Sequence, residues 1–289
     1  MDTTGSLHLE SPAKVNLRLE VLRKREDGYH ELRTIFQKIS LYDTLHFSLK
    51  GGKGIFITTD HPKLPVGKNN LVYKAAQFVL EGSNFKGGVH IEIEKRIPLG
   101  AGLGGGSSNA ATTLKALNRL LKLGYSAREL MYLGAKIGAD VPFFLLNGAA
   151  LGTGIGDRLK KIEVPDLWFV LIYPNFEVST RWAYRNFVLT KTEFRLNLPK
   201  LLRTPKEICR ILRNDLEEVV SKVYPQIVTM EKMLLSAGAM GTLMTGSGPT
   251  VFGVFSEEGG ALTAYEKVKE KVRAKGWMLL MAYSIMGGS

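Results

Sequence analysis

Residues 97–111 read Ile-Pro-Leu-Gly-Ala-Gly-Leu-Gly-Gly-Gly-Ser-Ser-Asn-Ala-Ala, and no other stretch limits so tightly what the chain can become. Just before it, Val89, Ile91 and Ile93 alternate with His90, Glu92 and Glu94, which is the period of a strand. Just after it, Ala110, Ala111, Leu114, Leu117 and Leu121 share one helical face, so a helix is expected to start near Ser107 or Ser108. Glycines therefore carry the chain from a strand into a helix N-terminus. Such an end presents unpaired N–H groups and a partial positive charge. Glycine lets the backbone bend and approach an anion closely. The run Pro98, Leu99, Gly100, Ala101, Gly102, Leu103, Gly104, Gly105, Gly106, Ser107 and Ser108 is thus expected to cradle phosphate, with the two serines adding hydroxyl donors.

Two other phosphate motifs fail on these residues. Gly100, Gly102 and Gly105 satisfy the dinucleotide pattern, but no acid stands among residues 120–127 to hold a ribose. A Walker A loop needs Gly-Lys before Ser or Thr, and here Ser107 follows Gly106 directly. A plain turn is the remaining alternative, and so many glycines cost too much conformational entropy for that.

Elsewhere strands and helices mix without strict alternation. Residues 15–21 alternate Val15, Leu17, Leu19 and Val21 with Asn16, Arg18 and Glu20, as a half-buried strand would. Shorter strands are expected near 45–49, 54–58, 167–173, 251–255 and 277–283. Asn70 and Gly82 bracket one helix, and Ser126 with Glu129 forms a capping-box pattern before another. Further helices are marked by Ile227, Met230 and Leu234, and by Tyr265, Val268 and Val272. The fold class expected is α+β with antiparallel pairing and two domains, 1–155 and 156–289, divided near the glycine-rich 148–157. Residues 185–213 follow no recognisable pattern.

Charge and cysteine usage narrow the function. Lys plus Arg total 39 against 27 acids, a net charge of +12 that favours anionic partners. Nucleic acid and a phosphorylated metabolite are both candidates, no block of like charges marks a nucleic-acid arm, and a solvated basic surface with no specific partner is the alternative. The single cysteine, Cys209, forms no intrachain disulfide. The first twenty residues lack a signal-peptide core and no apolar run is long enough for a membrane span, so the cytoplasm is the expected compartment.

For chemistry, phosphoryl transfer needs positioning, charge stabilisation and a group to take the proton of the attacking hydroxyl. Asp140, in Gly-Ala-Asp-Val-Pro, is the candidate base, with helix capping as its structural alternative. Lys14, in Ser-Pro-Ala-Lys-Val-Asn-Leu, could hold Asp140 ionised or offset transition-state charge, or simply be an exposed strand lysine. Asn16 shares its strand face and orients substrate or faces water. Tyr29 can stack on a base and His30 can hydrogen-bond one.

These motifs together resemble the galactokinase, homoserine kinase, mevalonate kinase and phosphomevalonate kinase superfamily. The resemblance rests on Ser-Pro-Ala-Lys-Val-Asn-Leu, on the 98–108 loop and on Thr-Gly-Ser-Gly-Pro-Thr-Val-Phe at 245–252, in that order over nearly the whole chain. Arg-Glu-Asp-Gly-Tyr-His-Glu-Leu at 25–32 and Ile-Gly-Ala-Asp-Val-Pro-Phe-Phe at 137–144 are similar to the branch that phosphorylates the 2-hydroxyl of 4-diphosphocytidyl-2-C-methyl-D-erythritol, in the non-mevalonate route to isoprenoid precursors.

The resemblance implies a two-domain α+β fold with the nucleotide cleft between domains. It implies ATP as phosphoryl donor, with Mg2+ riding on its phosphates and no tightly held protein metal. It also implies Lys14 and Asp140 as the catalytic pair, Pro98–Ser108 around ATP, His30 reading cytosine and Tyr29 enclosing it. Tyr184 matches the second aromatic face, with Phe176 and Trp182 close by in sequence, and Asn69 or Asn70 lines the site. Gly154-Ile155-Gly156-Asp157 departs from the family pattern, which has a basic residue inside that turn and a glutamate after it. A sister kinase for another alcohol would keep the loop and Asp140 but give Tyr29 and His30 no base. A non-catalytic nucleotide or nucleic-acid binder would leave Lys14 and Asp140 unused.

Overall fold

The computed structural model describes residues 5–189 and 202–287. The chain order begins β1 (Ser6–Lys24), β2 (His30–Lys50), β3 (Gly54–Thr59), α1 (Leu71–Glu81), β4 (Gly88–Glu94) and α2 (Gly105–Leu120). It continues α3 (Ala127–Ile137), α4 (Val141–Leu145), β5 (Ala149–Thr153), β6 (Arg158–Ile162), β7 (Trp168–Tyr173), α5 (Thr180–Asn186) and α6 (Pro205–Ile211). It closes with β8 (Arg213–Asn214), α7 (Glu217–Val223), α8 (Gln226–Ala237), β9 (Gly241–Met244), β10 (Val251–Phe255), α9 (Glu258–Ala274) and β11 (Met278–Tyr283). The expected α+β class and predominantly antiparallel pairing are what these elements form.

Two compact units emerge. One gathers Met1–Ala13, Leu41–Leu99 and Gly104–Leu146; the other gathers Lys14–Ser40, Gly100–Leu103 and Asn147–Ser289. They interleave along the chain, β1 and β2 each contributing residues to both.

In the first unit the second half of β2 pairs antiparallel with β4 from Thr44↔Glu94 to Lys50↔Gly88, and β3 pairs parallel with β4. Leu45, Phe47 and Leu49 of β2 and Val89, Ile91 and Ile93 of β4 are buried, while Thr44, His46, Ser48, His90, Glu92 and Glu94 are not. One sheet face is therefore core and the other meets water, the pattern that alternation at 89–94 forecasts. Helix α2 lies among α1, α3 and α4 and is buried on most sides. Each fully buried Leu or Phe here contributes roughly 1.5–3 kcal/mol. The helix ends follow their sequence signals. Asn70 Oδ1 accepts the Val72 N–H at 2.8 Å, and Ser126 and Glu129 complete the reciprocal capping box of α3.

In the second unit β11-β7-β10-β9 form an antiparallel sheet covered by α8 and α9. Its core joins Val170, Ile172, Met230, Leu234, Val251, Val268 and Val272. Here also β5 pairs with β2 at Thr34↔Gly152, β6 closes a hairpin with β5, and β8 lies parallel to β1 at Leu19↔Asn214.

Three expectations are corrected. Residues 15–21 are not half-buried: Asn16, Arg18 and Glu20 are as covered as their apolar neighbours. Arg18 bonds Glu20 at 2.6 Å and the Ile211 carbonyl at 2.8 Å, and Arg33 bonds Glu20 at 2.6 Å. Burial alone would raise the Glu20 carboxyl, but the two arginines hold it below the usual range. Strand β2 starts at His30 rather than near residue 45, since residues 35–39 are buried on both faces and carry no period of two. Within the unpatterned 185–213, α6 begins with a capping box of Thr204 and Glu207, and Pro205 stands in its first turn; residues 190–201 lie outside the described residues.

Glu217 of α7 sits against Glu231 of α8. Burial first, and then the Glu231 charge, push the Glu217 carboxyl up to about 8 from an ordinary 4.5. Between those values the folded protein holds a proton that the unfolded chain releases. Stability therefore falls as pH rises through that window, and the whole loss is present above the folded value. Glu217→Gln removes the titration. Relative to the parent, its urea stability should improve between about pH 5 and about pH 9 by on the order of 2 kcal/mol, less than a fully dry group would give. A difference that stays flat across that range would show that the pair carries no buried proton.

Candidate active site

The glycine run opens α2 two residues earlier than expected, at Gly105. Gly104 is its N-cap in the left-handed region, φ 72°, and no side chain caps the helix. Gly100 and Gly102 also have positive φ, 60° and 77°. Left-handed residues alternating with others turn successive N–H groups to one side, the geometry of an anion nest. Ser108 is buried and its Oγ accepts from Ser11 Oγ at 2.8 Å, while Ser107 is half-buried. A Cβ built on Gly138 would lie 3.9 Å from Ser107 Oγ, so the turn leading to Asp140 runs beside the first turn of α2.

Asp140 occupies the N-cap position of the short α4 yet makes no side-chain cap hydrogen bond. Its structural alternative is therefore not what the carboxylate does.

A buried ion pair holds the strand-to-loop junction. Lys95 Nζ donates to Asp43 Oδ2 and to the Ile97 carbonyl, both at 2.6 Å. Asp43 Oδ1 accepts the N–H groups of Arg96 and Ile97, each at 2.8 Å. Both groups of the Ile97 peptide are thus fixed immediately before Pro98. Burial lowers the Lys95 ammonium below its usual range, and Asp43 offsets part of that. A Cβ on Gly105 would be 3.1 Å from Lys95 Nζ, so the ammonium lies directly under the helix start.

In the second unit Lys14 and Asn16 are 3% and 2% exposed, so neither faces water. Lys14 Nζ donates to Asn16 Oδ1, and Asn16 Nδ2 donates to Thr34 Oγ1 at 2.8 Å. The Asn16 N–H donates to Thr245 Oγ1 at 3.0 Å, and the Lys14 N–H to the Leu103 carbonyl at 3.0 Å. Lys14 Nζ stands 5.7 Å from the centre of the Phe36 ring. A Cβ on Gly102 would fall 2.3 Å from the Thr245 carbonyl oxygen, so the glycine loop touches the 245–248 turn backbone to backbone. Thr34, Phe36 and Thr245 escaped sequence reading. Thr245 lies inside a motif that drew attention only for its glycines, and nothing local marks the other two.

His30 is half-buried and stacks on Tyr184, with ring centres 5.2 Å apart and planes 23° apart. Phe176 and Trp182 pack on Tyr224 instead, at 4.9 and 6.0 Å. Burial, with the Lys24 charge behind it, lowers the His30 imidazole, which keeps it neutral with one donor and one acceptor nitrogen. Tyr29 is 61% exposed, and its backbone is fixed by Asp27 Oδ1 at 3.1 Å and by its carbonyl accepting from Arg25. Asn70 is occupied as a helix cap, whereas Asn69 is exposed. The Gly154–Asp157 turn closes the β5–β6 hairpin, Asp157 accepting the Ile155 N–H at 3.2 Å, and the Leu32 N–H donates to the Gly154 carbonyl. Among the described residues, no group of three or more His, Cys, Asp or Glu is arranged to hold a metal ion, and no helix is long and apolar enough to cross a membrane.

Residues 70–148 match the family model of the GHMP kinases N terminal domain, and residues 197–274 that of the GHMP kinases C terminal. Over 272 residues the chain is 46% identical to the 4-diphosphocytidyl-2-C-methyl-D-erythritol kinase of Citrifermentans bemidjiense, covering 94% of this chain and 96% of the relative. It is 52% identical over 255 residues to the enzyme of that name from Syntrophus aciditrophicus, covering 87% and 91%. A solved 4-(cytidine 5'-diphospho)-2C-methyl-D-erythritol kinase superposes with TM-score 0.81 at 35% identity, covering 98% of this chain and all of that one. A homoserine kinase from Cytophaga hutchinsonii gives 0.77 at 23% identity, covering 99% and 96%, which speaks for the fold alone.

Asp43→Ala would strand the Lys95 ammonium beneath the loop. We expect a loss of about 3–5 kcal/mol in urea unfolding, because one charge of a buried pair is left without its partner. A loss under about 1 kcal/mol would mean that the junction is held by other groups.

Proposed function

The chain belongs to the GHMP kinases and, within them, to the 4-diphosphocytidyl-2-C-methyl-D-erythritol kinase family, and on that premise we propose how its residues divide the work. The reaction transfers the γ-phosphoryl group of ATP to the 2-hydroxyl of 4-diphosphocytidyl-2-C-methyl-D-erythritol. Identity of 46–52% to enzymes of that name over most of the chain carries the assignment. We place the reaction in the cytoplasm, where ATP is supplied.

Phosphoryl transfer is mostly positioning and electrostatics. The uncapped first turn of α2 and the left-handed glycines before it offer N–H groups to the ATP phosphates, with Ser107 adding a hydroxyl. Asp140 takes the proton of the 2-hydroxyl as its oxygen bonds to the γ-phosphorus and the bond to ADP breaks. The Lys14 ammonium, oriented by Asn16, stabilises the negative charge of that step. Mg2+ enters with ATP as part of the substrate; Ser107 and Asp140 offer oxygen donors of the hard kind it takes, and it would screen the phosphate charge.

Recognition of the cytidine end falls to the 25–32 segment. Neutral His30 can give and take one hydrogen bond each, which suits the edge of cytosine, and Tyr29 and Tyr184 offer ring faces. The stacking of His30 on Tyr184 supports Tyr184 over Phe176 or Trp182, both of which are committed to Tyr224.

ADP release in ATP and Mg2+ should occur with the cytidine substrate and not with homoserine or mevalonate. Turnover of either of the latter instead would assign the chain to a sister kinase. Asp140→Asn should lower kcat by about 100-fold or more while CMP still binds. A variant that retains parental kcat would remove Asp140 from the mechanism.

A further inference from the structure

Asn214 ends β8 and is 7% exposed. Its carboxamide is fully used. Nδ2 donates to the Met244 carbonyl at 2.7 Å and to the Gly246 carbonyl at 2.8 Å, while Oδ1 accepts the Leu216 N–H at 3.0 Å. The two carbonyls flank Thr245. The N–H of Thr245 donates to the Thr250 carbonyl at 2.9 Å, and its own carbonyl accepts from Gly248 at 3.0 Å. Glu217 accepts the Met244 N–H at 2.6 Å at the base of the same turn. β8 is itself anchored, since Asn214 pairs with Leu19 of β1 and the next N–H, of Asp215, donates to the Leu19 carbonyl at 3.0 Å.

The turn held this way touches the groups assigned to the chemistry. Thr245 carries the carbonyl that abuts Gly102 and the hydroxyl that accepts the Asn16 N–H. A Cβ on Gly246 would lie 3.3 Å from Lys14 Nζ and 3.5 Å from Asn16 Oδ1. A shift of the turn at Thr245 is therefore passed to Gly102 and to Asn16, and through the Asn16 side chain to Lys14.

We infer that Asn214 is a positioning residue for phosphoryl transfer, setting the 244–248 turn against Gly102, Asn16 and Lys14. Only a carboxamide of this length supplies two N–H donors on one atom and an acceptor on the other. An aspartate of the same shape would lose both donors and set a carboxylate against two carbonyl oxygens. The inference rests on the role proposed above for Lys14, and it requires nothing of the cytidine subsite, where His30 and Tyr184 are separate side chains.

The test compares the parent enzyme with Asn214→Asp and Asn214→Ser, the serine leaving room for a water to bridge the two carbonyls. kcat and both KM values are measured with ATP and the cytidine substrate, CMP binding by calorimetry, and amide exchange over peptides spanning 240–252. We expect kcat to fall about tenfold or more in Asn214→Asp and less in Asn214→Ser. The KM for the cytidine substrate and the affinity for CMP should stay within about threefold, and exchange should quicken at 240–252. Should the aspartate variant fail to fold, the serine variant carries the same split between kcat and cytidine KM. Parental kcat in folded variants would overturn the inference, as would a matched loss of kcat and CMP binding, the mark of general damage. A parent that turns over no cytidine substrate would instead count against the assigned function. Exchange at 240–252 then decides the clamp, and unchanged rates there overturn it.

Discussion

The contact on which much else depends is backbone against backbone. The Thr245 carbonyl and the Gly102 α-carbon approach so closely that even a methyl group would sit 2.3 Å from the oxygen. Two glycine-bearing segments more than a hundred residues apart in sequence are locked by the absence of a side chain. Gly102 answers a second demand as well, because its φ of 77° lies where L side chains are strained. Space and torsion exclude substitution independently. The same turn receives the N–H of Asn16, whose side chain accepts from the Lys14 ammonium, so a steric requirement at one glycine becomes an orientation requirement for a charge.

Charge is handled differently inside this protein than its net balance suggests. The surplus of +12 favours long-range attraction of anions. Inside, cations are held by specific acceptors. Arg18 and Arg33 share Glu20, and Lys95 is divided between Asp43 and a carbonyl. Such pairs add little net stability over apolar residues of similar volume, but they fix geometry, and breaking one is expensive. The Lys95–Asp43 pair fixes both the N–H and the carbonyl of Ile97 just where the glycine-rich loop leaves β4.

What could be read from the sequence divides along the range of the interaction responsible. Asn70, Ser126 and Glu129 act within a few residues of themselves, and their helices begin where those residues say. The alternation at 89–94 reports a sheet with one wet face and is realised as such. The same rule misleads at 15–21, because Asn16 and Arg18 are covered by partners far away in sequence and Arg18 in turn pairs with Glu20. Thr245, for example, is 229 residues from Asn16. β2 hides its first half for a related reason: a strand covered on both faces loses its period. The glycine turn into α2 was legible because glycine spacing is itself the requirement for successive left-handed residues. The pairing of Tyr184 with His30 was legible only through resemblance, and Thr34, Phe36 and Asn214 were silent, since a buried polar residue declares its role only once its partners are known.

Helix α2 starts at a left-handed glycine, with no serine, threonine or aspartate side chain to close its first turn. A cap of that kind is ordinarily worth about 1 kcal/mol. On the role proposed for this loop, that stabilisation is postponed until a phosphate arrives to complete the helix. The nucleotide would then act as a structural part of the fold as well as a reactant. On that proposal the central helix of the first unit is finished only while nucleotide is bound, and it is open-ended again each time product leaves.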